Sequence, residues 1–422
     1  MAKVKTSTLS SDNLTVAGLF GDFRLLIILF VGLRLLLLMI YQPIVVEGVE
    51  RGMTAGGDFA HYFNLGTLSG HGLLPFRDWW SEFPPVPSFL IVLVFNLIGG
   101  QSYPAFASFF GLLMLVADAG ILILLRNIGA QLHGANTGMA LAWVYAIMAA
   151  PLVFIWWNFE PLVTFFLLLG LWWLLKKQDV RSAVAAAVGA LVKFTPVLLV
   201  GAVWRFRDRS SALRYTLVTL GIFILVYALL FIQNATMTVP SLTAQFGKAS
   251  YQTVWALIDG NYRTGNFGSA ESHLDPAAAD ILYGNPPVIP GVIRLGVAGL
   301  IGLFVFWRTR RFDDKGLVAF VAITLLIFFL QAQGWSPQWL AQIIPLVLLT
   351  FPMRSGILIC VMLSLVTFAE YPLLFIRTGD TGGIISGALA TPFVVLVLAR
   401  TTILLGLCVA LYQRLRQAPI VL

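Results

Sequence analysis

Long apolar stretches recur along nearly the whole chain, separated by short polar segments. A helix that crosses a bilayer needs about 20 apolar residues. Phe23–Ile40 is the first such stretch, followed by Ala105–Leu125, Met139–Ile155 and Leu162–Leu175. Val184–Trp204 is also apolar but is broken by Lys193 and Pro196. Leu213–Ile232, Val292–Trp307, Leu317–Leu330, Leu340–Phe351, Ile357–Phe368 and Ile384–Leu411 complete the series. Proline and glycine at the ends of the shorter stretches predict tilted or partial helices. The pattern predicts an all-α polytopic membrane protein, one integral membrane domain over residues 1–422.

The cations give the stretches an orientation, because cytoplasmic loops carry the excess of Lys and Arg. Lys3, Lys5 and Arg24 precede the first helix, and Arg126 follows the second. Lys176, Lys177 and Arg181 follow the fourth, and Arg205, Arg207, Arg209 and Arg214 follow the broken segment. Arg308, Arg310, Arg311, Lys315, Arg354, Arg414 and Arg416 complete the set. All fall on one side if Val184–Trp204 enters and leaves from the cytoplasm as a hairpin of two short helices. The total is then about 12 membrane helices with both termini inside, and Val86–Gly99 lies at the outer surface. Residues 41–102 form a first outer loop and residues 233–290 a second, Gly/Asn-rich loop suited to a mobile lid.

Composition sharpens this. The chain of 422 residues is 59% hydrophobic and 11% charged, against about a quarter charged for a soluble domain. Its mean hydropathy is +0.89. The first apolar stretch is too long for a signal-peptide core and carries Arg34, so it reads as a retained helix. The net charge of +8 follows from the positive-inside bias and implies no nucleic-acid partner. Cys360 and Cys408 lie in apolar stretches and suggest neither a disulfide nor a zinc site. Arg34 sits about 16 Å and Asp118 about 12 Å from the inner ends of their helices. Their matching depths predict a buried ion pair.

The acids and tryptophans concentrate in the outer segments. The first loop contains Gly56-Gly57-Asp58-Phe59-Ala60-His61-Tyr62, then Pro75-Phe76-Arg77-Asp78-Trp79-Trp80 and Glu82-Phe83-Pro84-Pro85. If a helix starts at Asp58, then Asp58, His61, Tyr62 and Leu65 share one face. Asp58 is either a helix N-cap or a general base at the membrane surface. Arg77, Asp78 and Glu82 among aromatics are either solvated charges in an interfacial belt or a site for a sugar and a phosphate. Asn158 and Glu160 sit at another outer junction, where Asn158 is also a good cap. Gln333, Trp335, Ser336 and Gln338 form a further one. Lys193 either snorkels or reaches a lipid phosphate from the hairpin tip. A secondary transporter or lipid flippase is the rival class, favoured by the broken segment at Lys193. It is disfavoured by the absence of matching halves.

The layout resembles the GT-C superfamily of polyprenyl-phosphate-dependent glycosyltransferases, and most closely glycosyltransferase family 87, which includes mycobacterial phosphatidylinositol mannoside mannosyltransferases. The motifs that carry the resemblance are Asp58-Phe59-Ala60-His61-Tyr62, Gly72-Leu73-Leu74-Pro75-Phe76-Arg77-Asp78, Glu82-Phe83-Pro84-Pro85, Lys193-Phe194-Thr195-Pro196 and Ser336-Pro337-Gln338-Trp339. The resemblance implies a GT-C-like bundle with Asp58 as the catalytic base. It implies a polyprenyl-phosphate sugar donor, mannose first, and an inverted, α-linked product on a lipid or glycan acceptor. Arg77, Lys193, Gln338 and Arg377 are the expected donor-binding groups. His61, Tyr62, Asp78, Glu82, Asn158, Glu160 and Ser336 are expected around the pocket. No second acid stands two residues from Asp58, so no cofactor is expected and a divalent metal is not favoured. The implied location is the plasma membrane, with the reaction on its outer face.

Overall fold

The computed structural model describes residues 16–40, 44–46, 49–51, 58–100, 102–148, 157–265, 268–378 and 381–417. Gly56, Gly57 and the end of the predicted Met139–Ile155 span lie outside these. The chain folds as an α-helical bundle, with one short antiparallel hairpin pairing Ile44–Val46 with Val49–Arg51.

Among the described residues, 6 helices are long and apolar enough to cross a membrane: those within Tyr103–His133, Arg209–Thr238, Gly291–Arg308, Asp314–Gln331, Arg354–Tyr371 and Gly387–Arg416. Of the other predicted spans, Phe23–Ile40 forms an 18-residue helix, whereas Ala135–Ile147, Glu160–Leu175 and Asp179–Val192 are shorter. The expected number of about 12 therefore corresponds to fewer full-length helices plus several partial ones. Burial sorts the helices. Every residue of Leu340–Thr350 is buried, and Asp314–Gln331 is buried on most sides. Such all-round apolar helices belong to the interior. Arg209–Thr238 and Gly291–Arg308 instead expose apolar side chains such as Ile232 and Val292, as helices facing lipid do.

The segment after Glu160–Leu175 is the predicted hairpin. Asp179–Val192 forms one leg and ends where Lys193 adopts an extended backbone. The return leg is a 3-10 turn, Thr195–Leu198, followed by the helix Leu199–Phe206. Pro196 fits the first turn of that leg, where no N–H is needed. At the base, Arg207 Nε lies 3.2 Å from Asp179 Oδ1, and Arg207 Nη2 donates to the Leu174 carbonyl at 2.6 Å. Gly189 lets the legs close up, since a Cβ there would sit 2.8 Å from Pro196 Cβ and 2.9 Å from Phe166 Cβ.

The Arg34–Asp118 pair is present, Nε to Oδ2 2.7 Å, with both residues buried. Tyr145 Oη donates to Asp118 at 2.6 Å, Arg34 Nη1 donates to the Ala146 carbonyl at 3.2 Å, and the guanidinium stacks 3.5 Å over Phe30. A buried charge pair needs such extra hydrogen bonds.

The segments expected on the outer face are ordered by packing. Asp58–Gly70 and Pro85–Leu97 pack side by side, with the Phe95 ring filling the space beside Gly66 and Gly100. The second outer segment is not an open loop. Arg209–Thr238 runs on into it with a kink at Asn234, and Pro240–Gly247, Val254–Asp259 and two 3-10 turns follow.

Candidate functional site

These outer segments, the hairpin tip and the 332–339 junction enclose a cavity of about 490 Å³. Asp58, Glu82, Lys193, Ser336 and Gln338 line it. Five of the sequence-predicted residues, scattered over almost 300 positions, are thus brought to one chamber.

Asp58 opens the Asp58–Gly70 helix and is buried. Its backbone N–H donates to the Trp157 carbonyl at 3.1 Å, and Tyr62 Oη approaches Oδ2 at 3.4 Å. Burial pushes its carboxyl up to about 7, Lys193 pulls it down, Glu82 pushes it up, and hydrogen bonds from Tyr62 and Trp157 pull it down. A carboxyl balanced there can accept a proton near neutral pH.

Glu82 is ion-paired with Lys248 from the second outer segment. Burial pushes the Glu82 carboxyl up, but its neighbours, the Lys248 ammonium foremost, outweigh that and hold it below its usual range. Burial pushes His61 down to about 3, so it is neutral. Its ring lies 5.3 Å from that of His273. His273 stacks on Trp80 at 4.3 Å, and its Nδ1 lies 2.8 Å from the Trp80 carbonyl. Trp80 Nε1 donates to the carbonyls of Ser272 and Asp275 at 3.1 and 2.9 Å. His61 therefore helps join the two outer segments behind Glu82 and does not line the cavity.

Lys193 Nζ lies 2.7 Å from Glu160 Oε2. Gln342 Nε2 donates to the other oxygen of Glu160, and Asn158 Oδ1 accepts from the Glu160 N–H at 2.7 Å. Glu160 and Asn158 thus support Lys193 from behind; the N-cap of the Glu160–Leu175 helix is Phe159, so Asn158 braces Glu160 through its N–H and is not the cap, and neither lines the cavity.

Arg77 and Asp78 need correcting. They pair with each other at 2.7 Å on an exposed turn, outside the cavity lining. Asp78 also accepts from the Leu74 N–H at 2.8 Å, and Arg77 reaches the Gly72 carbonyl at 3.1 Å. Together they staple a turn in which Phe76 has a positive φ of 60°. Arg377 is exposed and also outside the lining. Tyr62 meets the site only through Asp58.

Two cations not singled out in the sequence line the cavity, Lys248 and Arg294. Arg294, in the first turn of Gly291–Arg308, is 4% exposed. Its Nη2 contacts Gln333 Oε1 at 3.3 Å, while Nε and Nη1 have no hydrogen-bond partner within the protein. The available signal was a violation of the charge bias, since the orientation expected from the sequence puts both cations on the face where Lys and Arg are scarce. One wall is aromatic, with Phe329 stacked on Trp339 at 4.3 Å and Trp335 at 5.4 Å from Trp339. Among the described residues, no group of three His, Cys, Asp or Glu has the arrangement of a metal site.

A polytopic bundle with an apolar-walled chamber, a tuned carboxylate and several cations defines a membrane protein equipped for group transfer. The profile of Glycosyltransferase family 87 matches residues 83–332, more than half of the chain, and the protein belongs to that family. Asp58 lies upstream of the matched residues. No curated protein matches the chain. Among solved structures, it is similar to the Archaeoglobus fulgidus oligosaccharyltransferase in complex with Zn and sulfate, at 13% identity and a TM-score of 0.40, over 89% of this chain and 53% of that one. It is also similar to oligosaccharyltransferase AglB from Archaeoglobus fulgidus in complex with an inhibitory peptide and a dolichol-phosphate. There the identity is 12% and the TM-score 0.43, over 93% of this chain and 56% of that one. The chain spans about half the length of those proteins.

Proposed function

We propose that the protein moves a hexose, mannose in the first instance, from a polyprenyl-phosphate sugar to a hydroxyl of a lipid or glycan acceptor. The reaction takes place on the outer face of the plasma membrane. The acceptor oxygen bonds to the anomeric carbon as its proton passes to Asp58. The bond from that carbon to the phosphate oxygen breaks, and the polyprenyl phosphate leaves with the electron pair. Attack opposite a β-linked phosphate inverts the centre and gives an α-linkage. Lys193, Lys248 and Arg294 offer the positive charge that the departing phosphate requires in a water-poor chamber. Gln338 and Ser336 offer neutral hydrogen bonds, and the Trp335–Trp339 wall offers a face for the sugar.

The observation that carries this reading is Asp58, a buried carboxyl raised to about 7 at the edge of a chamber with three cations in its lining. A base and a leaving-group site in one enclosed volume is what inverting transfer needs. The test is incubation of membranes containing the protein with labelled polyprenyl-phosphate sugars and a lipid extract. A labelled glycolipid that survives the mild acid that cleaves the donor, and that is absent from an Asp58→Asn control, supports it. Label that stays on the donor with every sugar and acceptor tried overturns it.

A further inference from the structure

At the opposite end of the hairpin from Lys193, the bases of two helices form a second hollow, of about 470 Å³. Lys177, Arg181 and Arg214 line it, with Ser211 and Tyr215. The acid in the lining, Asp179, is bound to Arg207. Lys177 has a long contact of 3.9 Å with Asp314, and Arg181 Nη1 donates to Gln178 Oε1 at 2.9 Å. In the lining, Lys177, Arg181 and Arg214 outnumber Asp179, which Arg207 already neutralises; Asp208 and Asp314 lie beside it, bonded to the Ser211 N–H and in long contact with Lys177. Asp179–Val192 and Arg209–Thr238 both begin here, with Asp179 in the first turn of one and Asp208 capping the other, so the positive field comes from the Lys and Arg side chains.

The surface that continues from the hollow indicates what fits it. The two helices run in the same direction away from it. Ser182 Oγ meets Tyr215 Oη at 3.1 Å, and further along Thr219 Oγ1 donates to the Ala183 carbonyl at 3.3 Å. Outward from these contacts, Val180, Val184, Leu213, Leu217 and Leu220 are apolar and exposed. A cationic hollow that opens onto an apolar strip matches a phosphate headgroup with its acyl chains. Basic pockets between membrane helices on the cytoplasmic side suit such headgroups.

We propose that this hollow binds an anionic phospholipid of the leaflet opposite the catalytic chamber, which is the cytoplasmic leaflet in the orientation given above. The bound lipid braces the base of the hairpin. The Asp179–Val192 helix then extends about 21 Å, at about 1.5 Å per residue, to Lys193 at the chamber. Lipid at one face thereby steadies a cation that acts at the other.

The test uses delipidated full-length protein in detergent, titrated with dioctanoyl phosphatidylglycerol and followed by its thermal unfolding midpoint. Phosphatidylglycerol raises the midpoint saturably, and dioctanoyl phosphatidylcholine and inorganic phosphate do not. Apparent affinity falls roughly fivefold for each of Lys177→Gln, Arg181→Gln and Arg214→Gln. Equal shifts with phosphatidylcholine, or the full shift with inorganic phosphate alone, overturn the proposal. So does unchanged affinity in all three single variants. No sugar donor is present, so the result is independent of the proposed transfer reaction.

Discussion

Lys193 Nζ and Glu160 Oε2 lie 2.7 Å apart, joining the tip of the hairpin to the head of the helix before it. The contact holds a cation at the chamber wall with its charge already half-engaged. Removing only the acid leaves that cation without its partner. Glu160→Gln should therefore destabilise the protein by about 1–3 kcal/mol, less than a wholly buried pair because Lys193 keeps some exposure. Double-mutant analysis of thermal unfolding checks this. The double variant Glu160→Gln/Lys193→Met should recover stability but not turnover. If the two single losses simply add, the pair is not coupled.

Asp58 is expected to set the pH dependence. A base must be deprotonated to act, so turnover should rise with pH through about 7 and level off above it. Asp58→Asn should lower turnover by about 10²–10⁴-fold with folded yield and donor binding retained. Neighbouring charges give the sign of two further shifts. Lys193→Met removes a stabiliser of the carboxylate and should move the midpoint up. Glu82→Gln removes a like charge and should move it down. A flat profile from pH 5 to 9, or shifts of the opposite sign, would remove Asp58 from the base role. Loss of folded protein in Asp58→Asn would make its helix-start role dominant.

Which residues were legible in the sequence follows from which constraints act locally. The bilayer forces apolar helices, so most spans and the hairpin break at Lys193 could be read directly. The Arg34–Asp118 pair was legible because depth along a helix can be counted. Asp58, Glu82, Lys193, Ser336 and Gln338 were legible because polar groups are costly beside a membrane. Arg77 failed because its immediate neighbour Asp78 captures it, and adjacency in sequence does not reveal where a turn points. Lys248 and Arg294 were overlooked because their meaning lies in long-range packing. One meets Glu82 across 166 positions, and the other faces a chamber assembled from distant segments.

Metal dependence turns on Glu82. An ion shared by Asp58 and Glu82 must displace Lys248, which already neutralises Glu82. Activity should therefore survive EDTA. A loss restored by magnesium or manganese would mean that carboxylate oxygens of this pair hold a hard cation, and Lys248→Met should then raise the metal affinity.

Orientation can be checked by labelling in a Cys360→Ser/Cys408→Ser background. Ser336→Cys lines the chamber and should react with an impermeant maleimide added to intact cells. Lys176→Cys, at the opposite end of the Glu160–Leu175 helix from Glu160, should react only after permeabilisation. The reverse pattern would place the reaction on the cytoplasmic side.

Arg294 supplies the sharpest separation of stability from activity. Its guanidinium is buried at the chamber, with Nε and Nη1 unpartnered within the protein. A buried charge in that state costs folding free energy unless an anion completes it. The phosphate of the proposed donor is such an anion. Arg294→Met keeps much of the side-chain volume and removes the charge. It should leave the thermal midpoint of the ligand-free protein unchanged or higher, as happens where function requires a strained site. The same change should weaken donor binding by about 10–100-fold, the range for losing a charge-assisted hydrogen bond. The charged donor phosphate is present before and during bond breaking, so turnover should fall with affinity. Unfolding curves with and without a polyprenyl phosphate, set beside turnover, check both halves. A lower midpoint with normal affinity would make Arg294 a structural residue held through Gln333 and through the Trp255 ring, whose centroid lies 5.4 Å from the guanidinium carbon. In that case Lys193 and Lys248 alone would carry the leaving group.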